Sequence, residues 1–272
     1  MSLKQFTKIS LISTVSALML FSAALPVLAA VEESVPTKGD IGFEKDETGT
    51  TPPLESENPD IDEPVDLVEP PVSTVGALRI DVAPILHFGN NNKIVATRQN
   101  YYAEFVRGTK FGETVVSDIA NYLQVTDVRG GTQGFKVSVK TDGIFTSGTD
   151  KIENTIITMN DFSIHSGSKI VDSTVFPKVS TTPMSISDNQ SHVLMDAAVG
   201  QGYGIWTMPM GTEAVKTSGQ GKDGTGTTGA IDVTKAGRNP AIQLTIPAGQ
   251  IIKASTATPY VSTLNWTISD NI

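Results

Sequence analysis

The stretch YVSTLNWTISDNI, from Tyr260 to Ile272, decides how this chain is read. Taken as a strand, it places Tyr260, Ser262, Leu264, Trp266 and Ile268 on one face. Val261, Thr263, Asn265 and Thr267 fall on the other, because successive side chains alternate across a strand. One face is mostly apolar with two aromatics and the other is short and polar, which is the pattern of a half-buried strand. A strand this regular must be paired with something, since unpaired termini are usually disordered.

Working outward, the same texture fills the chain from Val75 onward. Short runs of alternating apolar residues recur between clusters of Gly, Asn, Asp, Ser and Pro. FKVSVK (Phe135–Lys140) is the cleanest, with Phe135, Val137 and Val139 opposite Lys136, Ser138 and Lys140. Further strands are expected at Ala77–Val82, Ile85–Gly89, Tyr101–Arg107, Tyr122–Thr126, Asn154–Thr158, Phe162–His165, Lys169–Val171, Met184–Ile186, His192–Ala197, Gly204–Met208, Ala241–Ile246 and Gln250–Ala254. A helix is conceivable only around Thr114–Tyr122. Many short strands with turn signals between them predict an all-β fold, a single β-sandwich or barrel-like domain over 75–272. Those 198 residues suffice for one sizeable core.

Two segments precede this domain. Residues 1–30 read as a signal peptide: Lys4 and Lys8 form a basic start, an apolar run follows, and Val27-Leu28-Ala29 offers small residues for cleavage. No second apolar run of that length exists, so no membrane span is expected in the mature chain. Residues 31–74 hold thirteen acids against two bases and seven prolines, while 75–272 balance at sixteen each. Such a segment cannot by itself bury enough apolar surface to offset its ordering entropy. It is therefore expected to be a disordered acidic linker, and its removal to leave unfolding unchanged. Neither part supplies the basic field that nucleic-acid binding needs. The chain has no cysteine, so an exported form has neither disulfides nor a lipidation site at the cleavage point.

The ending resembles the distal motif of the WxL cell-surface proteins of Gram-positive bacteria. Tyr260, Leu264, Trp266 and Thr267 match it, Asn265 replaces a Thr, and Ile268 replaces the Leu. The resemblance extends upstream. LRIDVAPILHFGNN (Leu78 to Asn91) is similar to the opening of a WxL domain. YLQVTDVRGGTQGFKVSVKTDGIF (Tyr122 to Phe145) is similar to its proximal motif, with Asp127, Arg129, Gly130 and Gly134 matching, Phe135 at the Trp position and Val137 at the Leu position. GQGYGIWTMPMG (Gly200 to Gly211) matches a third recurrent segment, with Met208 two places after Trp206. The resemblance implies a secreted protein of the cell surface, attached non-covalently to peptidoglycan or another wall glycan, and often working beside a companion WxL-interacting surface protein. The alternative is an assembly subunit that binds such a companion through its β-edges, with little direct glycan contact.

The candidates for wall or partner contact are Trp206, Met208, Tyr260, Leu264, Trp266 and Ile268, together with Asp127, Arg129 and Phe135. A flat aromatic ring on an exposed sheet stacks on the apolar face of a sugar, but tryptophan is also highly buried on average. Both tryptophans read as core. Trp206, set among Gly200, Gly202 and Gly204, is the one where an exposed face is more plausible. Its loss is expected to cost less stability and more wall binding than loss of Trp266. Asp127 and Arg129 flank a tight turn; the pair either binds a carboxylate or, more often for such pairs, fixes the turn.

Catalysis finds no support in the residues. His87, His165 and His192 lack zinc-site spacing, no G-x-S-x-G elbow occurs, and the asparagine- and aspartate-rich turns do not fit a calcium loop. Two overlapping G-x-G-x-x-G strings between Gly219 and Gly229 have no strand before them or helix after them, so they read as a surface loop. No enzyme, cofactor or metal is expected.

Overall fold

Among the described residues every strand pairs antiparallel, and most pairs join strands far apart in sequence. The computed structural model describes residues 38–89, 92–131, 133–216, 238–254 and 258–270. The chain divides at Gly42, and Phe43–Ile272 form the unit considered below. The expected signal peptide and the glycine-rich strings lie outside the described residues.

Among the described residues, one three-stranded and three four-stranded sheets make up most of the unit. The first has the order β1 (Asp66–Leu67), β4 (Val106–Thr109), β5 (Val116–Ile119). The second runs β13 (Met184–Ile186), β10 (Ile156–Met159), β16 (Arg238–Ile246), β3 (Gln99–Glu104). The third runs β11 (His165–Ser166), β15 (Gly204–Pro209), β6 (Tyr122–Asp127), β2 (Leu78–Val82). The fourth runs β12 (Lys178–Val179), β14 (His192–Ala197), β7 (Phe135–Lys140), β17 (Asn265–Asp270). A separate hairpin joins β8 (Phe145–Ser147) to β9 (Asp150–Ile152). The all-β expectation is met, and among the described residues the only helical turn is a 3₁₀ turn at Ser173–Val175. A single sandwich or barrel is not what forms: the sheets are arranged like the blades of a four-bladed propeller.

One core lies among the second, third and fourth sheets. It draws Leu123, Val125, Trp206 and Met208 from the third, Phe135, Val137, Val139 and Met195 from the fourth, and Ile157, Met159 and Ile242 from the second. The expected helix around Thr114–Tyr122 is instead β5 and the start of β6, whose Val116–Ile119 rung pairs with β4. Ile85–Gly89, Lys169–Val171 and Gln250–Ala254 form no strand. The expected strand Tyr101–Arg107 is two, broken at Phe105, because β3 and β4 pair into different sheets. In β16 the register with β3 slips between Asn239 and Gln243. Pro240 sits within that slip, where its missing N–H removes no ladder bond.

The largest departure from the sequence reading is the segment 51–74, which is part of the fold and not a disordered linker. Leu54 is fully buried and Val65 is 5% exposed. β6 is buried on both faces: Leu123 and Val125 look into the main core, while Tyr122, Gln124 and Thr126 look out toward this segment. Gln124 serves as a surrogate strand partner. Its Oε1 accepts the Leu54 N–H at 2.8 Å, and its Nε2 donates to the Pro52 carbonyl at 2.9 Å. Thr207 donates to the Ser56 carbonyl at 2.9 Å. Arg79 Nη2 donates to Thr51 Oγ1 and its Nε to Asp81 Oδ1 at 2.9 Å, while Thr126 donates to Asp81 Oδ2 at 2.6 Å. Farther on, β1 pairs with β4, and Val65 packs with Val82, Ile119 and Tyr122 in a second apolar cluster.

The reason composition misleads here is that it scores the segment alone. Prolines deprive it of donors, yet the Gln124 amide and the Thr207 hydroxyl supply donors to the Pro52 and Ser56 carbonyls from outside the segment. Lys110 bridges Glu55 and Glu213 at 2.8 and 2.9 Å, which offsets part of the acidic repulsion.

Candidate functional site: the paired motif strands

The proximal and distal motifs lie more than a hundred residues apart in sequence and side by side in space. β17 pairs along its whole length with β7: Trp266 sits opposite Val139, Ile268 opposite Val137, and Asp270 opposite Phe135. The family-like letters therefore share one face of one sheet, and that face looks inward. Phe135, Val137 and Val139 are fully buried. Leu264, Trp266 and Ile268 are half-buried and pack on the same core. Tyr260 lies before the strand, half-buried, and its hydroxyl accepts the Lys253 N–H at 3.1 Å.

Trp206 occupies the centre of this core and is fully buried, as is Met208. Its indole N–H donates to the carbonyls of Gly202 at 2.8 Å and Tyr203 at 3.2 Å. Phe176 meets it edge-on with ring centres 4.8 Å apart, a favoured aromatic geometry. The glycines before it serve packing and not exposure. At Gly202, φ is +85° and a Cβ would stand 2.6 Å from both the Phe135 ring and the Ala197 methyl. The expectation that Trp206 is the more exposed tryptophan is thus reversed: Trp206 is buried, and Trp266, on an edge strand, keeps partial exposure.

Asp127 ends β6, and Arg129 lies two residues on in the turn toward β7. The guanidinium binds the carboxylate in a fork, with Nε to Oδ1 at 2.9 Å and Nη2 to Oδ2 at 2.7 Å. Nη2 also donates to the Gly134 carbonyl at 2.7 Å, and Nη1 donates to Asp270 Oδ1. The Asp127 carboxylate, joined by Asp270, holds the Arg129 guanidinium above its ordinary range. All three guanidinium nitrogens are committed, so the pair ties the proximal turn to the end of β17 and has no free fork for a ligand carboxylate. Gly134 is needed in the same turn: at φ +75° a Cβ there would come within 2.3 Å of the Ala197 carbonyl.

Removing this clasp has a definite expected result. Arg129→Gln leaves Asp127, 1% exposed, without its cation, and the cost is about 2–4 kcal/mol, approaching that of breaking a buried ion pair. Adding Asp127→Asn should recover part of the loss, because the unpaired charge is then gone. Denaturant unfolding of the single and double variants measures it; a single variant at the native midpoint contradicts the clasp.

The sequence reading missed the other face of the same strands. Lys136, Ser138 and Lys140 on β7 stand beside Ser269, Thr267 and Asn265 on β17, and the three β17 residues are exposed. The signal was present in the alternation itself, which assigns these residues to the opposite face as soon as the apolar ones go inward.

The two motif strands thus lie side by side in one sheet of an all-β fold, and among the described residues no group of three or more His, Cys, Asp or Glu is placed to hold a metal. The chain belongs to the WxL family: residues 30–271 match the family model for the WxL domain, surface cell wall-binding. No curated protein and no solved structure matches the chain. Membership places the protein at the cell surface, as a cell-wall-binding protein. No helix among the described residues is long and apolar enough to cross a membrane.

Proposed function

We propose that this protein binds peptidoglycan directly and non-covalently, through the sheet that carries its two motif strands, and that it is a binding protein and not an enzyme. The observation that supports this reading is the pairing of β7 with β17. The apolar motif residues anchor the sheet to the core, and the alternate positions present a flat row of hydroxyl, amide and ammonium groups to solvent. Such groups suit the polar rim of a glycan. With no cysteine in the chain, no thiol-based link contributes to attachment.

The test is a pull-down of the purified protein with protein-free sacculi. Binding is expected to be saturable and to be reversed by concentrated chaotrope. Protein released from cells only by a wall-degrading enzyme, or absent from the sacculus pellet, contradicts the proposal. A second reading keeps some support from β17 being the outer strand of its sheet. Its open backbone groups could accept a strand from a companion surface protein. That reading expects retention on sacculi only when the companion is present.

A further inference from the structure

We propose that the solvent face of the β12–β14–β7–β17 sheet recognises the carboxylates of peptidoglycan's peptide stems, with Lys136, Lys140 and Lys178 as the charged contacts. This rests on the direct wall binding proposed above and names the chemistry of that contact.

The strand register sets the face out as a grid. Lys178, Asp196, Lys136 and Ser269 form one row across the four strands. Val193, Ser138 and Thr267 form the next, and Lys140 and Asn265 the third. All the inward neighbours on β7 are buried, so these side chains are held on one side of a rigid sheet. Ser191 donates to Ser138 at 2.8 Å, fixing one hydroxyl. Against three lysines the grid holds one acid, Asp196, whose carboxylate is 3.8 Å from Lys136 Nζ. Lys140 and Lys178 form no salt bridge among the described residues, whereas Lys110, Lys136, Lys169, Lys216 and Lys253 do. In a chain of net charge −9, a face with excess ammonium groups is the part complementary to an anionic wall.

Spacing separates two anionic polymers. Lys136 and Lys140 are four residues apart on one strand, about 14 Å at the usual strand rise. Between them lie only uncharged groups, the Ser138 and Thr267 hydroxyls and the Val193 side chain. A phosphodiester polymer carries a charge on every short repeat, so a charge would rest unpaired over Ser138 and Thr267, and another would meet Asp196. Peptidoglycan carries its carboxylates on peptide stems that branch from uncharged sugar units. Neutral sugar can then lie over Ser138, Thr267 and Asn265 while stem carboxylates reach the lysines.

The experiment compares the full-length secreted protein with a triple variant, Lys136→Gln, Lys140→Gln and Lys178→Gln, on three preparations of sacculi. One is untreated, one has its phosphodiester polymers removed with hydrofluoric acid, and one has its carboxyl groups amidated with methylamine by carbodiimide coupling. Thermal unfolding of the variant should match the native protein, since all three side chains are at the surface. The expected result is equal binding to untreated and acid-extracted sacculi, about a tenfold or greater loss on amidated sacculi, and a similar loss for the variant on untreated sacculi, with salt weakening the native interaction. Undiminished binding by the variant, or by the native protein to amidated sacculi, overturns the proposal and leaves direct wall binding standing. Loss on acid extraction alone assigns the face to a phosphodiester polymer and overturns it too. Failure of the native protein to bind any preparation overturns the wall-binding reading itself.

Discussion

A chain that begins at Val75 should fail to hold the native fold. Removing residues up to Thr74 strips the outer face of the third sheet, where Leu54 and Val65 are buried and where Gln124 and Thr126 of β6 and Thr207 of β15 bond to the segment. Leu54→Ala alone is expected to cost about 2–5 kcal/mol, the usual loss for truncating a buried leucine. Full removal adds the loss of Val65, of β1, and of partners for Arg79 and Gln124, which then face water or remain unsatisfied. Against a typical domain stability of about 5–15 kcal/mol, the shortened chain should be largely unfolded. Urea unfolding of chains starting at Phe43 and at Val75 checks this. Coincident transitions would show that the segment rests on the surface without contributing, and the packing described above would be wrong.

The second large effect separates the two tryptophans. Trp206→Ala should cost about 3–5 kcal/mol, as for other buried aromatics. It leaves a cavity beside Phe176 at the centre of the core and takes the indole donor from the Gly202 carbonyl. Trp266→Ala should cost less, about 1.5–3 kcal/mol, because the ring is only half-buried on an outer strand. The measurement is denaturant unfolding of each variant beside its retention on sacculi. A Trp206 variant that unfolds at the native midpoint but no longer binds would make Trp206 a contact residue after all. Equal losses at both positions would show that the edge strand is as well packed as the centre.

Much of this protein was legible in the sequence, for local reasons. The period-2 alternation in Phe135–Lys140 and in Tyr260–Ile272 depends only on backbone pleat, so it identified β7 and β17 and sorted their faces before any pairing was known. The turn Asp127–Gly134 was legible because Gly and an Asp acceptor are the residues such turns require. Motif order then carried the family.

What remained hidden depends on which surfaces meet. The sequence could not say that β7 and β17 are neighbours, because antiparallel pairing across such a separation leaves no local trace. Nor could it say that Trp206 is central. Glycines beside a tryptophan are consistent with an open face or with a tight approach, and only the Phe135 ring and the Ala197 methyl against Gly202 decide between them. The segment 51–74 is the clearest case. Its acids and prolines forbid folding alone, and that remains true of it alone; the free energy that orders it comes from the outer face of β6, a surface that exists only once the third sheet has formed.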